Sequence, residues 1–192
     1  MIKQKTFDLL DAHLRRENDF YNNLDYDKRQ VFYTHKTYRV DPWWANKKYE
    51  ELKEEAFNWS APIKYADLKD FNEHISTDDI GIYLFVVSPK NLIFNLPQTV
   101  LYVGISGDKG KERPLKDRLN DYYQISKLEK RENIHKLIQL YYDDLYVVYT
   151  FYKGDDYKDL LKIETALTEF FSAPYSDAAY EPLTKKSRSL WK

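Results

Sequence analysis

Residues 81–87 read GIYLFVV, and residues 99–105 read TVLYVGI. Both runs are rich in β-branched and aromatic residues and have the length of one strand, so each predicts a β-strand. The residues between them include two prolines and two asparagines, a composition typical of turns. We therefore expect the two strands to pair as an antiparallel hairpin.

Helical and strand patterns continue after the hairpin. Pro114 suits the first position of a helix, and Leu115, Leu119 and Tyr122 follow it on one side. The other predicted elements are a helix that begins near 133, a strand at 145–152, and a helix that begins at 155 or 156 and ends at 171. The order β-β-α-α-β-α predicts an α+β domain with a small three-stranded antiparallel sheet flanked by helices.

The first 76 residues show helical patterns instead. Thr6 is a candidate cap for one helix, and Asp41 followed by Pro42 is a candidate start for another. The apolar stripe predicted for this second helix consists of Ala45, Tyr49, Leu52 and Ala56. We therefore divide the chain into an N-terminal helical extension, residues 1–76, and a second domain, residues 77–192.

The composition excludes several classes of protein. The 192 residues carry 30 Lys and Arg against 31 Asp and Glu, and the net charge of -1 excludes a globally basic protein but not one basic face. The lack of cysteine excludes a disulfide scaffold, a thiolate zinc site and a cysteine nucleophile. No apolar run reaches the roughly 20 residues of a membrane helix, and the first residues lack the apolar core of a signal peptide. We expect a soluble cytoplasmic protein without membrane contact.

Two charged residues occupy helix faces that are otherwise apolar. Glu164 shares a face of the last helix with Leu160 and Leu167. Burial of an unpaired carboxylate costs several kcal/mol, so Glu164 must be paired, protonated or bound to a cation. Arg118 occupies a similar position on the helix after Pro114, where a surface arginine that extends to solvent is the simpler interpretation. The two charges could also cancel as an internal ion pair, so they do not by themselves define a site.

A tyrosine lies at a matching place in each strand of the hairpin, Tyr83 and Tyr102. Side chains alternate along a strand, so Tyr102 is expected to point away from Leu101 and Val103. If those two face the core, Tyr102 faces outward, and Gly104 beside it leaves room for a ligand to approach the backbone. Taken singly, each tyrosine is also explained as an ordinary aromatic residue of a sheet.

Together these residues resemble the GIY-YIG nuclease family. The motifs are GIY at 81–83, YVG at 102–104, Arg118 on the next helix and Glu164 on the last helix. The match covers roughly residues 79–177, and the predicted order of elements agrees with the fold of that family. The segment PLKDRLNDYY after YVGIS is similar to the restriction-enzyme branch in particular. The N-terminal extension is not covered.

The resemblance implies metal-dependent hydrolysis of DNA phosphodiester bonds. Glu164 matches the ligand of a single Mg²⁺ or Mn²⁺, and one carboxylate is sufficient because Mg²⁺ keeps most of its water shell. Tyr102 matches the proposed general base, and Tyr83 matches the residue that supports it. Arg118 matches the arginine that binds the phosphate and stabilises the transition state. A free phenol has a pKa of about 10, so a base at Tyr102 needs cations nearby.

Two positions depart from the family pattern. The restriction-enzyme branch often has His four residues after the Arg, where this chain has Tyr122. The family usually has Asn after the Glu in a Pro-aromatic-Asn context, and the aligned residue here is Ser176, with Thr184 as an alternative. Either change fits a divergent active enzyme, or a protein that has lost catalysis and only binds nucleic acid.

Basic residues are concentrated beside the predicted site. Residues 109–131 carry eight Lys or Arg against four Asp or Glu. This excess predicts a track for a phosphate backbone, although a solvated helix face has the same composition. The candidate nucleic-acid contacts are Gly104, Lys109, Lys111, Arg113 and Lys116.

The leading hypothesis is therefore a divalent-metal-dependent endonuclease that acts on double- or single-stranded DNA, in restriction, phage defence, mobile-element or repair biology. A double-strand cutter with one site per chain would need a homodimer. A catalytically degenerate nucleic-acid-binding module on the same fold is the first alternative. A protein-interaction domain, in which tyrosines and tryptophans form the partner surface, is the second.

Overall fold

The computed structural model describes residues 42–53, 55–72, 75, 78–87, 99–107, 113–154, 156–176 and 180–189. These residues form an α+β fold built on a four-stranded antiparallel sheet with helices packed on both faces. Several sequence predictions lie outside the described residues, namely the helix at Thr6, the cap at Asp41, and the contacts at Lys109 and Lys111.

The strands are β1 (Ile63–Lys64), β2 (Gly81–Val87), β3 (Thr99–Ile105) and β4 (Leu145–Phe151), in the spatial order β1-β4-β2-β3. The predicted hairpin is confirmed, because β2 and β3 pair antiparallel, and β4 lies where the third strand was predicted. The prediction of only three strands is wrong. A two-residue strand such as β1 is too short to show a periodic pattern, and it is defined by its pairing with β4.

The helices are α1 (Pro42–Leu52), α2 (Leu68–Asn72), α3 (Leu115–Asn120), α4 (Ile125–Leu128), α5 (Glu132–Tyr141), α6 (Tyr157–Phe171) and α7 (Pro182–Ser189), with 3₁₀ turns at Tyr65–Asp67 and Asp121–Tyr123. α6 begins as the sequence predicts, because the Asp156 carboxylate accepts a hydrogen bond of 2.8 Å from the backbone N–H of Lys158. None of the helices described here is both long enough and apolar enough to cross a membrane.

Apolar side chains form one core on each face of the sheet. The first core joins one face to a first layer of helices, α2 to α5, and it includes Tyr83, Phe85 and Leu119. The second core joins the other face to a second layer, α1 and α6, and it includes Leu84 and Leu160. Because β3 is an edge strand in contact with α6, groups from both layers can meet at its free edge.

A β-bulge at Leu101 changes the direction of side chains on β3. The pairing register with β2 shifts by one residue there, so Leu101 and Tyr102 both face the first core, and Val103 faces the second. The prediction that Tyr102 points away from Val103 is confirmed. The prediction that it points away from Leu101 is wrong, because strict alternation does not continue across a bulge.

The described part of the N-terminal region divides between the two faces of the sheet: α1 contacts α6 in the second layer, whereas β1 joins the sheet and α2 packs in the first layer. The predicted apolar stripe of α1 is wrong in part: Leu52 is buried, but Tyr49 is 57% exposed, and Ala56 is exposed beyond the end of the helix. Lys48 is buried instead, because carboxylates from three other positions surround its ammonium group. The proposed boundary at residue 76 stays a prediction.

Candidate functional site

Three tyrosines and two arginines form a cluster in the first layer, which we call the phenol cluster: Tyr83, Tyr102, Tyr122, Arg118 and Arg131. The hydroxyl oxygens of Tyr83 and Tyr122 lie 2.5 Å apart in a hydrogen bond. Arg118 Nε donates to the Tyr83 oxygen at 3.0 Å, and Arg131 Nη1 donates to the Tyr122 oxygen at 3.2 Å. The centroid of the Tyr102 ring lies 6.1 Å from the centroid of the Tyr83 ring. Two buried phenol oxygens are thus each bonded to a guanidinium group.

Gly104 makes room for one of these tyrosines. It lies opposite Tyr83 across the β2–β3 ladder, and a Cβ at Gly104 would overlap with the hydroxyl end of the Tyr83 ring. The glycine is therefore needed because the Tyr83 ring occupies the space above it. The expectation that Gly104 leaves this space open to a ligand is wrong.

The phenols of the cluster are neutral at neutral pH. Burial raises the pKa of Tyr83 and of Tyr122 above the ordinary value of about 10. Burial also raises the pKa of Tyr102, with further contributions from Tyr122 and from the carboxylate of Glu164, while Arg118 acts to lower it. Tyr102 can therefore become a phenolate only if positive charge is added near its hydroxyl group.

Arg118 carries a positive charge that no carboxylate within the described ranges pairs with. Burial acts to lower its pKa, but the oxygens of Tyr83, Tyr122 and Tyr102 raise the pKa above the ordinary arginine value. The guanidinium is half-buried and stays charged. Its charge is therefore hydrogen-bonded but not cancelled.

The basic residues near Arg118 differ from it in having a carboxylate partner, because three of them surround the buried side chain of Asp121. Asp121 forms an ion pair with Arg113, and its carboxylate lies 3.4 Å from Lys127 Nζ and 3.8 Å from Arg131 Nη2. Arg113, a predicted nucleic-acid contact, is thus engaged inside the protein. Lys116, another predicted contact, is half-buried on α3.

A cleft of about 460 Å³ lies at the free edge of β3. Tyr102 lines it from the sheet, Glu164 from α6, Asn133 from α5 and Ser176 from the turn after α6. The rest of the lining comes from residues 180–182 and from Val103, Leu161, Thr165 and Tyr175. Glu164 is half-buried, and its charge is one cause of the raised pKa of Tyr102. The cleft therefore brings together a phenol from one layer and a carboxylate from the other.

The turn after α6 follows the free edge of β3. Ser176 Oγ accepts a hydrogen bond of 2.8 Å from Val103 N and donates one of 3.2 Å to Val103 O, while Tyr175 N donates to Leu101 O at 3.0 Å. Ser176, aligned with the family's Asn, thus lines the cleft and also fixes the turn to the strand. Thr184, the alternative, donates to Glu169 Oε1 at 2.8 Å.

The oxygen-bearing side chains that line the cleft fit a hard divalent cation that has few protein ligands. Among the described residues, no group of three or more His, Asp or Glu forms a metal cluster. Glu164 supplies one carboxylate, and the hydroxyl-bearing residues Tyr102 and Ser176 line the same space. Mg²⁺ is commonly held by one or two carboxylates together with water and substrate phosphates, which this arrangement permits.

The sequence interpretation missed a buried group in the second layer, which we call the lysine cluster: Lys48, Glu51, Glu169 and Glu181. Lys48 Nζ lies 2.9 Å from Glu51, 3.0 Å from Glu169 and 3.1 Å from Glu181. Lys48 is 2% exposed and Glu169 is 3% exposed. Burial acts to lower the pKa of Lys48, but the hydrogen bonds that its ammonium group donates to the three carboxylates raise the pKa above the ordinary lysine value. The lysine therefore stays charged.

The predicted site residues thus fall into two connected groups. Tyr83, Tyr122 and Arg118 lie in the phenol cluster, while Tyr102 belongs to that cluster and also shares the cleft with Glu164. The chain matches no protein family, no curated protein and no solved structure with which it was compared. Function is therefore inferred from the sequence motifs and from the geometry of the cleft and the phenol cluster.

Proposed function

We propose that the chain is a divalent-metal-dependent endonuclease of the GIY-YIG type, which hydrolyses DNA phosphodiester bonds in this cleft. The observation that carries the proposal is the half-buried guanidinium of Arg118, which is bonded to a neutral phenol and has no ion-paired carboxylate among the described residues. A charge removed from water without an opposite partner is costly, so it is typical of a site for a charged ligand. The planar guanidinium suits phosphate oxygens.

In this proposal the protein groups have separate tasks. Arg118 binds the scissile phosphate and stabilises the negative charge that develops on its oxygens. The Tyr102 hydroxyl orients the attacking water and, as a phenolate, accepts its proton. Tyr83 and Tyr122 hold Arg118 and the ring of Tyr102 in place through hydrogen bonds and ring contacts.

Glu164 is the proposed ligand of Mg²⁺ or Mn²⁺. A bound divalent ion supplies Lewis-acid stabilisation of the scissile phosphate and the leaving oxygen. Glu164 is also one cause of the raised pKa of Tyr102. Neutralisation of this carboxylate by a cation therefore favours the phenolate that Tyr102 needs to act as a base.

The proposal extends to the assembly on DNA. Each chain has one such site, formed by Glu164 in the cleft and by Arg118 in the phenol cluster that adjoins the cleft at Tyr102, so cleavage of both strands of a duplex requires two copies of the chain. We therefore propose a homodimer for double-strand cleavage, acting on DNA in the cytoplasm.

The test is cleavage of supercoiled plasmid and single-stranded DNA with Mg²⁺ or Mn²⁺. The wild type is expected to nick or cut, and Glu164→Gln is expected to lose at least 100-fold in rate because its amide is a poor ligand for the cation. Asp159→Asn removes an exposed carboxylate from the same helix and is expected to cut at the wild-type rate. Equal rates in Glu164→Gln and the wild type would eliminate the metal assignment.

A second candidate is a nucleic-acid-binding module that has lost catalysis. It is favoured by two observations: burial raises the pKa of Tyr102, and the Ser176 hydroxyl is engaged by the backbone of Val103. This candidate predicts DNA binding that weakens with salt and no nicking with either metal. Cleavage by the wild type that is lost in Glu164→Gln would exclude it.

A further inference from the structure

The segment 180–189 forms one part of the cleft and then leaves it as a helix. Glu181 and Pro182 line the cleft, and Pro182 occupies the first position of α7, where proline is favoured. Lys185 N donates to Glu181 O at 2.9 Å, which closes the first turn of α7. An eight-residue helix is about 12 Å long, so α7 begins at the cleft and extends beyond it.

The lysine cluster fixes this segment to α6. Both oxygens of the buried Glu169 carboxylate are used for this purpose. Glu169 Oε1 accepts hydrogen bonds from Glu181 N at 3.1 Å and from Thr184 Oγ1 at 2.8 Å. Glu169 Oε2 lies 3.0 Å from Lys48 Nζ, which is also 3.1 Å from Glu181 Oε1. The start of α7 is therefore held in a defined position beside the cleft.

The charge on α7 has one sign. From residue 182 onward the sequence has basic residues at 185, 186, 188 and 192, and it has neither Asp nor Glu. Lys185 and Lys186 are exposed. The acidic residue just before the helix, Glu181, is engaged by Lys48. Two exposed lysines thus follow, within four residues, the residues with which this segment lines the cleft.

We propose that α7 is a second nucleic-acid contact, in which Lys185 and Lys186 bind the phosphate backbone of the strand that leaves the cleft. This inference rests on the proposed function, because it extends the same cleft. At 3.4 Å per nucleotide of one strand, the length of α7 corresponds to about three to four phosphates. The lysine cluster positions this contact and does not itself touch the nucleic acid.

The experiment is DNA binding without metal, so that its result does not depend on cleavage. Fluorescence anisotropy with a labelled duplex of about 25 base pairs in EDTA gives the Kd across a range of salt concentrations. Lys185→Gln/Lys186→Gln is expected to weaken binding about tenfold and to reduce the slope of log Kd against log salt by about 2. Lys153→Gln/Lys158→Gln makes the same charge change near the start of α6 and is expected to change Kd less than threefold.

A second variant tests the positioning of α7 without a change of charge. Thr184→Val removes the hydrogen bond to Glu169 and is expected to weaken binding about threefold, while Thr184→Ser keeps the hydroxyl and is expected to restore the wild-type Kd. A Thr184→Ser protein as weak as Thr184→Val would contradict the positioning role.

The outcomes separate this inference from the proposed function. Unchanged affinity and salt slope in Lys185→Gln/Lys186→Gln would overturn the contact, as would an equal loss in the control pair. Binding to anionic-lipid vesicles with no binding to the duplex would overturn it in favour of a membrane surface. Lysine-dependent DNA binding without cleavage in Mg²⁺ or Mn²⁺ would support α7 and contradict the endonuclease. Cleavage in Mg²⁺ or Mn²⁺, together with unchanged DNA binding by Lys185→Gln/Lys186→Gln, would support the endonuclease and contradict the contact at α7.

Discussion

The lysine cluster of the second layer and the phenol cluster of the first layer both remove a cation from water, but they give it different partners. Lys48 has three carboxylates within 3.1 Å. Arg118 has a neutral phenol at 3.0 Å and no ion-paired carboxylate in the described part of the chain. A buried cation whose charge is neutralised by carboxylates of the same protein stabilises the fold. A cation that is only hydrogen-bonded keeps its charge available to an anionic ligand.

The same contrast occurs within a few residues of sequence. Arg113 and Arg118 flank the start of α3, yet Arg113 pairs with the buried Asp121, whereas Arg118 points its Nε at the oxygen of Tyr83. Sequence position and residue type therefore do not distinguish the two arginines. They differ in the partner that the fold supplies, a carboxylate for Arg113 and a neutral phenol for Arg118.

The largest effect is expected from Lys48→Met. This substitution leaves Glu169 buried opposite no cation, and removal of one partner of a buried ion pair costs about 3–5 kcal/mol. Urea unfolding measures this loss in free energy. Lys53→Met breaks an exposed ion pair with Glu50 and is expected to leave the free energy of unfolding close to the wild-type value. A loss below about 1 kcal/mol in Lys48→Met would contradict the role given to the lysine cluster.

A smaller effect is expected from Tyr83→Phe at alkaline pH. Burial raises the pKa of the Tyr83 phenol, so above about pH 10 the unfolded chain releases this proton while the folded chain keeps it. The free energy of unfolding therefore falls as pH rises above about 10. Below that pH the Tyr83 phenol is protonated in both states, so its contribution to stability is fully present. Tyr83→Phe removes this titration and should make the fall between about pH 9 and 11 shallower by about 1 kcal/mol.

Urea unfolding at a series of pH values gives this slope separately from the stability at neutral pH. Tyr49→Phe, at an exposed position of α1, is the matched control and should leave the slope unchanged. If Tyr83→Phe also leaves it unchanged, the phenol is not held neutral by burial.

The fold was predictable where local sequence decides the structure. The strands β2, β3 and β4 are continuous β-branched and aromatic runs, and the cap of α6 at Asp156 is a local hydrogen bond. β1 and the bulge at Leu101 were not predictable, because the first is defined by pairing with a distant strand and the second by a shift of register. Neither leaves a periodic pattern in the sequence.

The candidate site was predictable as a set of residues but not as an electrostatic arrangement. The motifs indicate Tyr83, Tyr102, Arg118 and Glu164. The contact of Arg131 with Tyr122 instead depends on the fold of the turn at Asp121–Tyr123 and of α4, which bring the residue before α5 back to that phenol. The lysine cluster left one signal in the sequence, because Glu169 follows the buried Ala166 by three residues on α6, the spacing of a single helix face. Its partner Lys48 lies more than 100 residues earlier, so no local pattern links them.

Single-turnover cleavage of plasmid DNA by Arg118→Met, beside the wild type and Arg113→Met, tests the central claim most directly. Arg118→Met is expected to unfold within about 1 kcal/mol of the wild type, because the Tyr83 hydroxyl keeps its hydrogen bond to Tyr122. It is expected to cut at least 100-fold more slowly, because the charge proposed to bind the phosphate is lost. Arg113→Met, which removes one of the three cations around the buried Asp121 carboxylate, is expected to lose stability and to cut within about tenfold of the wild type. A wild-type rate of cleavage in Arg118→Met would contradict the claim.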